Sequence, residues 1–242
     1  MDRQWTEQTC DNLAARCAPT SAGRRSRQYS RRMTLADDIN SALIGRQLLS
    51  HPFYQRWERG ELGEGELATY GAQYAHFERQ LPHTLEAIAQ SSSSASVRDA
   101  VVANLDDELG TPCAHVELLG TFLAAVNAVE ADPDPATAAL VSLYATAPAR
   151  SEAFALGVIA AYELQAAEIA ATKGEGLRRF YGLTSDETVF WDVHATMEGD
   201  HADWVLSAAA AVQSDELLAG VAASRDAWWA FLDERDAAAV PA

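Results

Sequence analysis

The run Phe154-Ala155-Leu156-Gly157-Val158-Ile159-Ala160-Ala161-Tyr162-Glu163 decides the fold. It is apolar on every side at helical spacing, and a helix of that kind has to be enclosed by other helices. The chain is therefore read as all-α, with this segment in the middle of a bundle. Glu163 closes the run, and a carboxylate there costs several kcal/mol unless it is paired or bound to a metal. With one acid, both a Glu–Arg ion pair and a metal ligand stay open. Glu168 is the nearby competitor but lies closer to the polar end of the helix.

Outward from this run, helical periodicity is nearly continuous from Thr34, and breakers mark the joints. Helices are predicted over 36–50, from His51-Pro52 to near Gly60, over 64–90 with Pro82 inside, and over 96–126, interrupted by Gly110 and Pro112. The Ser91–Ser94 run is a loop and Asp132-Pro133-Asp134-Pro135 a linker. Further helices are predicted over 136–146, 151–173, 186–212 and 214–235. No repeat and no strand pattern is evident. The pattern is that of an up-and-down bundle of about seven helices. A hydrophobic fraction of 48% in 242 residues is ample for one core.

Two further segments place acids and histidines inside apolar helices. His194, Glu198 and His201 stand at i, i+4 and i+7 on one face, with Asp200 and Asp203 elsewhere. Glu198-x-x-His201 is the spacing by which di-metal carboxylate bundles project two ligands inward. In Asn104-Leu105-Asp106-Asp107-Glu108-Leu109-Gly110-Thr111-Pro112-Cys113-Ala114-His115, Glu108 and His115 are seven apart. On one helix they would lie within about 20° of one line, with Asp107 off it. Pro112 removes the donor to the Glu108 carbonyl and distorts the helix between them. A solvated acidic turn with one satisfied histidine is the competing account. Mixed carboxylate and imidazole donors suit iron or manganese better than a closed zinc site.

Lys173 is the only lysine among 18 basic residues. It is either a proton-delivering or shiftable amine that arginine cannot replace, or a helix C-terminal cation beside Gly174. The formal net charge of −17 argues against nucleic acid or an anionic membrane as partner. Residues 1–32 hold seven arginines against three acids, net +4, while the remainder holds 11 basic and 32 acidic residues, net −21. They read as a disordered basic tail or an over-extended start, ahead of a single domain over 33–237. No apolar stretch reads as a signal peptide or a membrane span. Cys10, Cys17 and Cys113 form neither a disulfide framework nor a zinc ribbon, which fits a reduced, cytoplasmic compartment.

These residues resemble the heme-oxygenase-like di-metal oxidases and oxygenases, closest to the chlamydial protein associating with death domains and its bacterial relatives. The likeness spans about residues 40–235: His51-Pro52-Phe53-Tyr54 with Trp57, Gly60 and Leu62; Asn104-Leu105 to Glu108 and His115; Tyr162-Glu163 with Lys173, Gly176-Leu177 and Tyr181-Gly182; His194, Glu198 and His201; and Phe231-Leu232-Asp233. The resemblance implies a heme-oxygenase-like (TenA/PqqC-like) fold. It also implies that Glu108, His115, Glu163, His194, Glu198 and His201 bind two iron ions, or manganese and iron, with O2 as co-substrate and Lys173 catalytic. Glu198 stands where Asp is usual. The chlamydial branch makes p-aminobenzoate by consuming one of its own tyrosines, and Tyr54 falls at that position. That branch also carries a Tyr-Tyr pair and a His in the helix here reading Tyr74-Ala75-His76-Phe77, and a second Tyr where this chain has Phe190.

The leading expectation is a di-iron oxidase or oxygenase acting on a small, amino-acid-derived carboxylate, in cofactor or natural-product biosynthesis. Arg79 is its candidate substrate anchor, against the alternative of a surface arginine. His76, which pairs with His83 across Pro82, is assigned to the cavity lining beside it. A small-molecule substrate, an external electron donor and a homodimer are the expected partners. The alternatives are self-sacrificing p-aminobenzoate synthesis from Tyr54, a metal-free thiaminase-like hydrolase using a nucleophile such as Cys113, and a non-enzymatic interaction protein. His51, which opens a helix, is read as structural.

Overall fold

The computed structural model describes residues 34–110, 114–212 and 214–237, without the side chains of residues 197–199. The expected tail over 1–32, its two cysteines, Cys113 and the Glu198 side chain lie outside the described residues. Among those described there are nine α-helices and one 3-10 turn, and no strand. They are α1 (Leu35–Leu43), α2 (Pro52–Glu58), α3 (Glu64–Ser91), α4 (Ala95–Glu108), α5 (His115–Ala125), α6 (Pro135–Arg150), α7 (Glu152–Tyr181), α8 (Val189–Ala211) and α9 (Asp215–Ala237).

Local chemistry explains the boundaries. Thr34 and Asp37 close a capping box at the start of α1, each side chain accepting from the other's backbone N–H. The expected helix over 36–50 ends at Leu43, and Gly45 turns the chain with φ +79°. His51 caps α2 as expected of a structural residue: its Nδ1 accepts from Phe53 N–H at 3.1 Å, and its Nε2 reaches Asp233 at 3.0 Å. The helix expected over 96–126 is two helices, α4 and α5, joined across the Gly110–Ala114 segment. In the other direction, α7 continues past residue 173 to Tyr181, where Gly182 stops it with φ +72°.

Helix α7 packs chiefly on α8 and α9, and also on α6. Its crossing with α9 is backbone on backbone. A Cβ at Gly157 would strike the Leu217 carbonyl, and one at Gly220 would strike the Phe154 carbonyl. The expectation that no stretch matches a membrane span fails here, because α7 is long and apolar enough by length and composition. Its most apolar window is 72% buried within the protein.

Helix α3 lays Tyr70, Tyr74, Phe77, Glu78, Leu81 and Leu85 inward at helical spacing. Trp57 of α2 lies over Gly176 of α7, and its Nε1–H donates to the Lys173 carbonyl at 3.3 Å. At the other side, Arg178 of α7 donates to Asp192 of α8 at 2.7 and 2.8 Å and to Thr188 at 2.7 Å. These contacts set the stretch of α7 around Lys173 against α2 and the start of α8.

Candidate metal centre

Glu108 is the last residue of α4 and His115 the first of α5. The expected single helix, interrupted at Gly110 and Pro112, is instead two helices with these residues at their facing ends. They meet across the break between the two helices, with His115 Nδ1 3.1 Å from Glu108 Oε2. From α7, Glu163 enters the same space, with Oε2 at 3.7 Å from His201 Nδ1. From α8 come His194 and His201, one helix face seven residues apart. The His115 and His194 ring centroids are 4.4 Å apart, and those of His115 and His201 6.1 Å. Relative exposure is 5% or less for all five residues. Glu108, His115 and His194 each offer a ligand atom within 4.8 Å of the others. Glu163 pairs with an imidazole here.

The donor set fits a metal such as iron. Buried carboxylates and imidazoles converge, and hard oxygen donors mixed with nitrogen suit that ion. His194 donates Nδ1–H to the Phe190 carbonyl at 2.8 Å, which leaves Nε2 as its lone-pair nitrogen. Burial, followed by the neighbouring His115, holds His194 well below the usual imidazole range. It is therefore neutral and ready to bind at neutral pH.

Next to this cluster lies an aromatic chamber around Lys173. Lys173 is fully buried and sits two turns before the end of α7, so it is not a helix C-terminal cation. Its Nζ donates to Tyr70 OH at 2.6 Å, and Tyr70 OH meets Tyr54 OH at 2.9 Å. The centroids of Trp191, Tyr74, Tyr54 and Tyr70 lie 4.2 to 5.0 Å from Nζ. Phe190 links the two groups, with its ring centroid 4.7 Å from Trp191 and 4.1 Å from His194. Burial pushes the phenols of Tyr54, Tyr70 and Tyr74 above their ordinary value.

Two expected substrate contacts fall elsewhere. Arg79 is exposed and pairs with Glu130 at 3.8 Å, because it follows the inward Glu78 and turns to the outer face of α3. His76 Nε2 bonds the Ala131 carbonyl at 2.9 Å, on the same outer side, and His83 is exposed. Three residues near the site were not singled out from the sequence. Asp107 Oδ2 lies 2.7 Å from His201 Nε2. Tyr70 carries the Lys173–Tyr54 link. Glu78 is 2% exposed, bonds Tyr74, and has its carboxyl raised to about 8 by burial and by Glu108. Its place on the inner stripe of α3 with Tyr70, Tyr74 and Phe77 is the signal that would have found it.

An all-helical bundle with a buried carboxylate–histidine cluster defines a heme-oxygenase-like redox protein, and the chain belongs to the iron-containing redox enzyme family, whose pattern matches residues 68–231. It is an oxidoreductase by that membership. Among named relatives, the 4-aminobenzoate synthase of Nitrosomonas europaea is 32% identical over 83% of this chain and 90% of its own length. The 4-aminobenzoate synthase of Chlamydia pneumoniae is 24% identical over 80% and 91%. In fold, a TenA homologue from Pseudomonas syringae matches with TM-score 0.72 at 16% identity, covering 84% of this chain and 92% of that one. A CADD-like protein from Nostoc punctiforme matches with TM-score 0.68 at 21% identity, covering 82% and 95%.

Proposed function

We propose that this chain is a non-heme di-iron oxygenase that uses O2 to make 4-aminobenzoate from its own Tyr54. The observation that carries the reading is the buried line Lys173 Nζ–Tyr70 OH–Tyr54 OH beside the histidine–carboxylate cluster. The name shared by the relatives supports the product. The outward turn of Arg79 takes away the anchor proposed for a diffusible carboxylate.

Converting a tyrosine side chain to 4-aminobenzoate keeps the ring and Cβ. The Cα–Cβ bond breaks, Cβ ends as a carboxylate carbon, and nitrogen replaces the phenol oxygen. Two iron ions held by Glu108, His115, Glu163, His194, Glu198 and His201 would supply the oxidising equivalents from O2, with electrons from an external donor. The chain's own residues set the rest. Packing of Phe53, Trp57 and Tyr70 around Tyr54 fixes the ring and keeps water out. Tyr54 holds its phenolic proton, since burial disfavours the phenolate, and Tyr70 OH is the partner through which that proton moves. Lys173 Nζ, 5.0 Å from the Tyr54 ring centroid, is the amine placed to provide the nitrogen: its Cε–Nζ bond breaks, Cε ends as an aldehyde, and the phenol oxygen leaves as water.

The test is one turnover of iron-loaded protein carrying 15N-lysine. The expected result is 15N in 4-aminobenzoate and changes of mass confined to the Tyr54 and Lys173 peptides. An unchanged Tyr54 peptide after O2 uptake overturns self-sacrifice. It would favour a diffusible amino-acid-derived substrate, the reading to which Phe190 and the Tyr74-Ala75-His76-Phe77 stretch point.

A further inference from the structure

Asp107 and Glu108 are consecutive, so on α4 they stand about 100° apart and cannot share a face. The end of the helix lets both reach the same imidazoles from opposite sides. Glu108 is interior, with Oε2 3.1 Å from His115 Nδ1 and Oε1 3.8 Å from His201 Nδ1. Asp107 comes around the rim, with Oδ2 2.7 Å from His201 Nε2 and 3.6 Å from His115 Nε2. A carboxylate only accepts, so at 2.7 Å His201 donates its Nε2–H to Asp107. The lone pair of His201 then lies on Nδ1, the nitrogen 3.7 Å from Glu163 Oε2. His194 is fixed in the opposite sense, because its Nδ1–H goes to the Phe190 carbonyl.

We infer that Asp107 is a positioning residue that locks His201 to bind metal through Nδ1, while the Phe190 carbonyl locks His194 to bind through Nε2. The inference rests on the metal-centre reading and adds which nitrogen each histidine offers and which residue decides it. A carboxylate on the far nitrogen orients the ring and raises the basicity of the near one. Loss of such a partner weakens metal binding by roughly 10–100-fold. Asp107 reaches His201 from the rim, its side chain 22% exposed, whereas His201 is fully buried.

The probe is zinc, which is diamagnetic, bound to the intact 15N-labelled protein. Long-range proton–nitrogen spectra of its six histidines report which nitrogen of each is metallated. The expected result is zinc on Nδ1 with a proton on Nε2 for His201, and the reverse for His194. In Asp107→Asn, competition titration should show zinc bound roughly 10–100-fold more weakly at the His201 position. The His194 signature should stay in place, and Asp107→Glu should recover part of the affinity. Zinc bound through Nε2 of His201, or an unchanged affinity in Asp107→Asn, overturns the inference alone. No zinc binding by the wild type overturns the metal-centre reading and this inference with it. The wild-type spectrum decides the assignment even if the variant fails to fold.

Discussion

Glu78 is a buried carboxylic acid bonded to Tyr74, and burial, followed by the neighbouring Glu108, raises it. With its folded value raised from 4.5 to about 8, the folded state holds a proton that the unfolded chain releases. The stability that this gives is complete below about pH 4.5 and is lost as pH rises through about 8. Metal-free wild type should therefore lose stability between these limits relative to Glu78→Gln, by a few kcal/mol at most. Parallel denaturant titrations at pH 5 and 8 measure this, and equal slopes for the two proteins would refute it. Lys173→Met keeps the length and removes the amine. It should leave the helical content intact while abolishing 4-aminobenzoate, as read by circular dichroism and product analysis. At this scale the sequence was partly legible. An acid ending an apolar run and histidines sharing a helix stripe announce buried polar groups. Asp107 was not legible, since helical rotation sends it away from Glu108, and only the end of α4 lets it reach back to His201.

Helices α7 and α9 touch through Gly157 and Gly220, each facing the other's carbonyl groups. Gly157→Ala must push two backbones apart, which costs about 1–3 kcal/mol or more even for a single methyl. A fall in Tm of several degrees is the expected reading, and an unchanged Tm would show that the crossing is looser than described. Apolar periodicity located nearly every helix, because burial imposes it. It misplaced the ends where one residue's conformation decides. Gly45 stops α1 early. Gly174 and Gly176, which look like a helix end in sequence, lie inside α7 because they admit Trp191, Asp192 and Trp57. Glu108 and His115 were paired for the wrong geometric reason, since a helix break joins them where a shared stripe had been expected.

At the scale of the molecule, five buried ligand-type side chains among the described residues, from α4, α5, α7 and α8, converge beside a chamber that holds the chain's only lysine. Arg79 and His76 show the limit of reading this from sequence, for an amphipathic α3 has an inner and an outer face and the sequence does not say which neighbour each meets. The central claim is that the converging groups hold iron for use with O2. Anaerobic iron loading followed by metal analysis and O2 mixing tests it most directly. The account predicts about two irons per chain and a transient, O2-dependent absorbance change, both lost in Glu108→Ala. Less than one iron per chain, with no spectral response to O2, would contradict it.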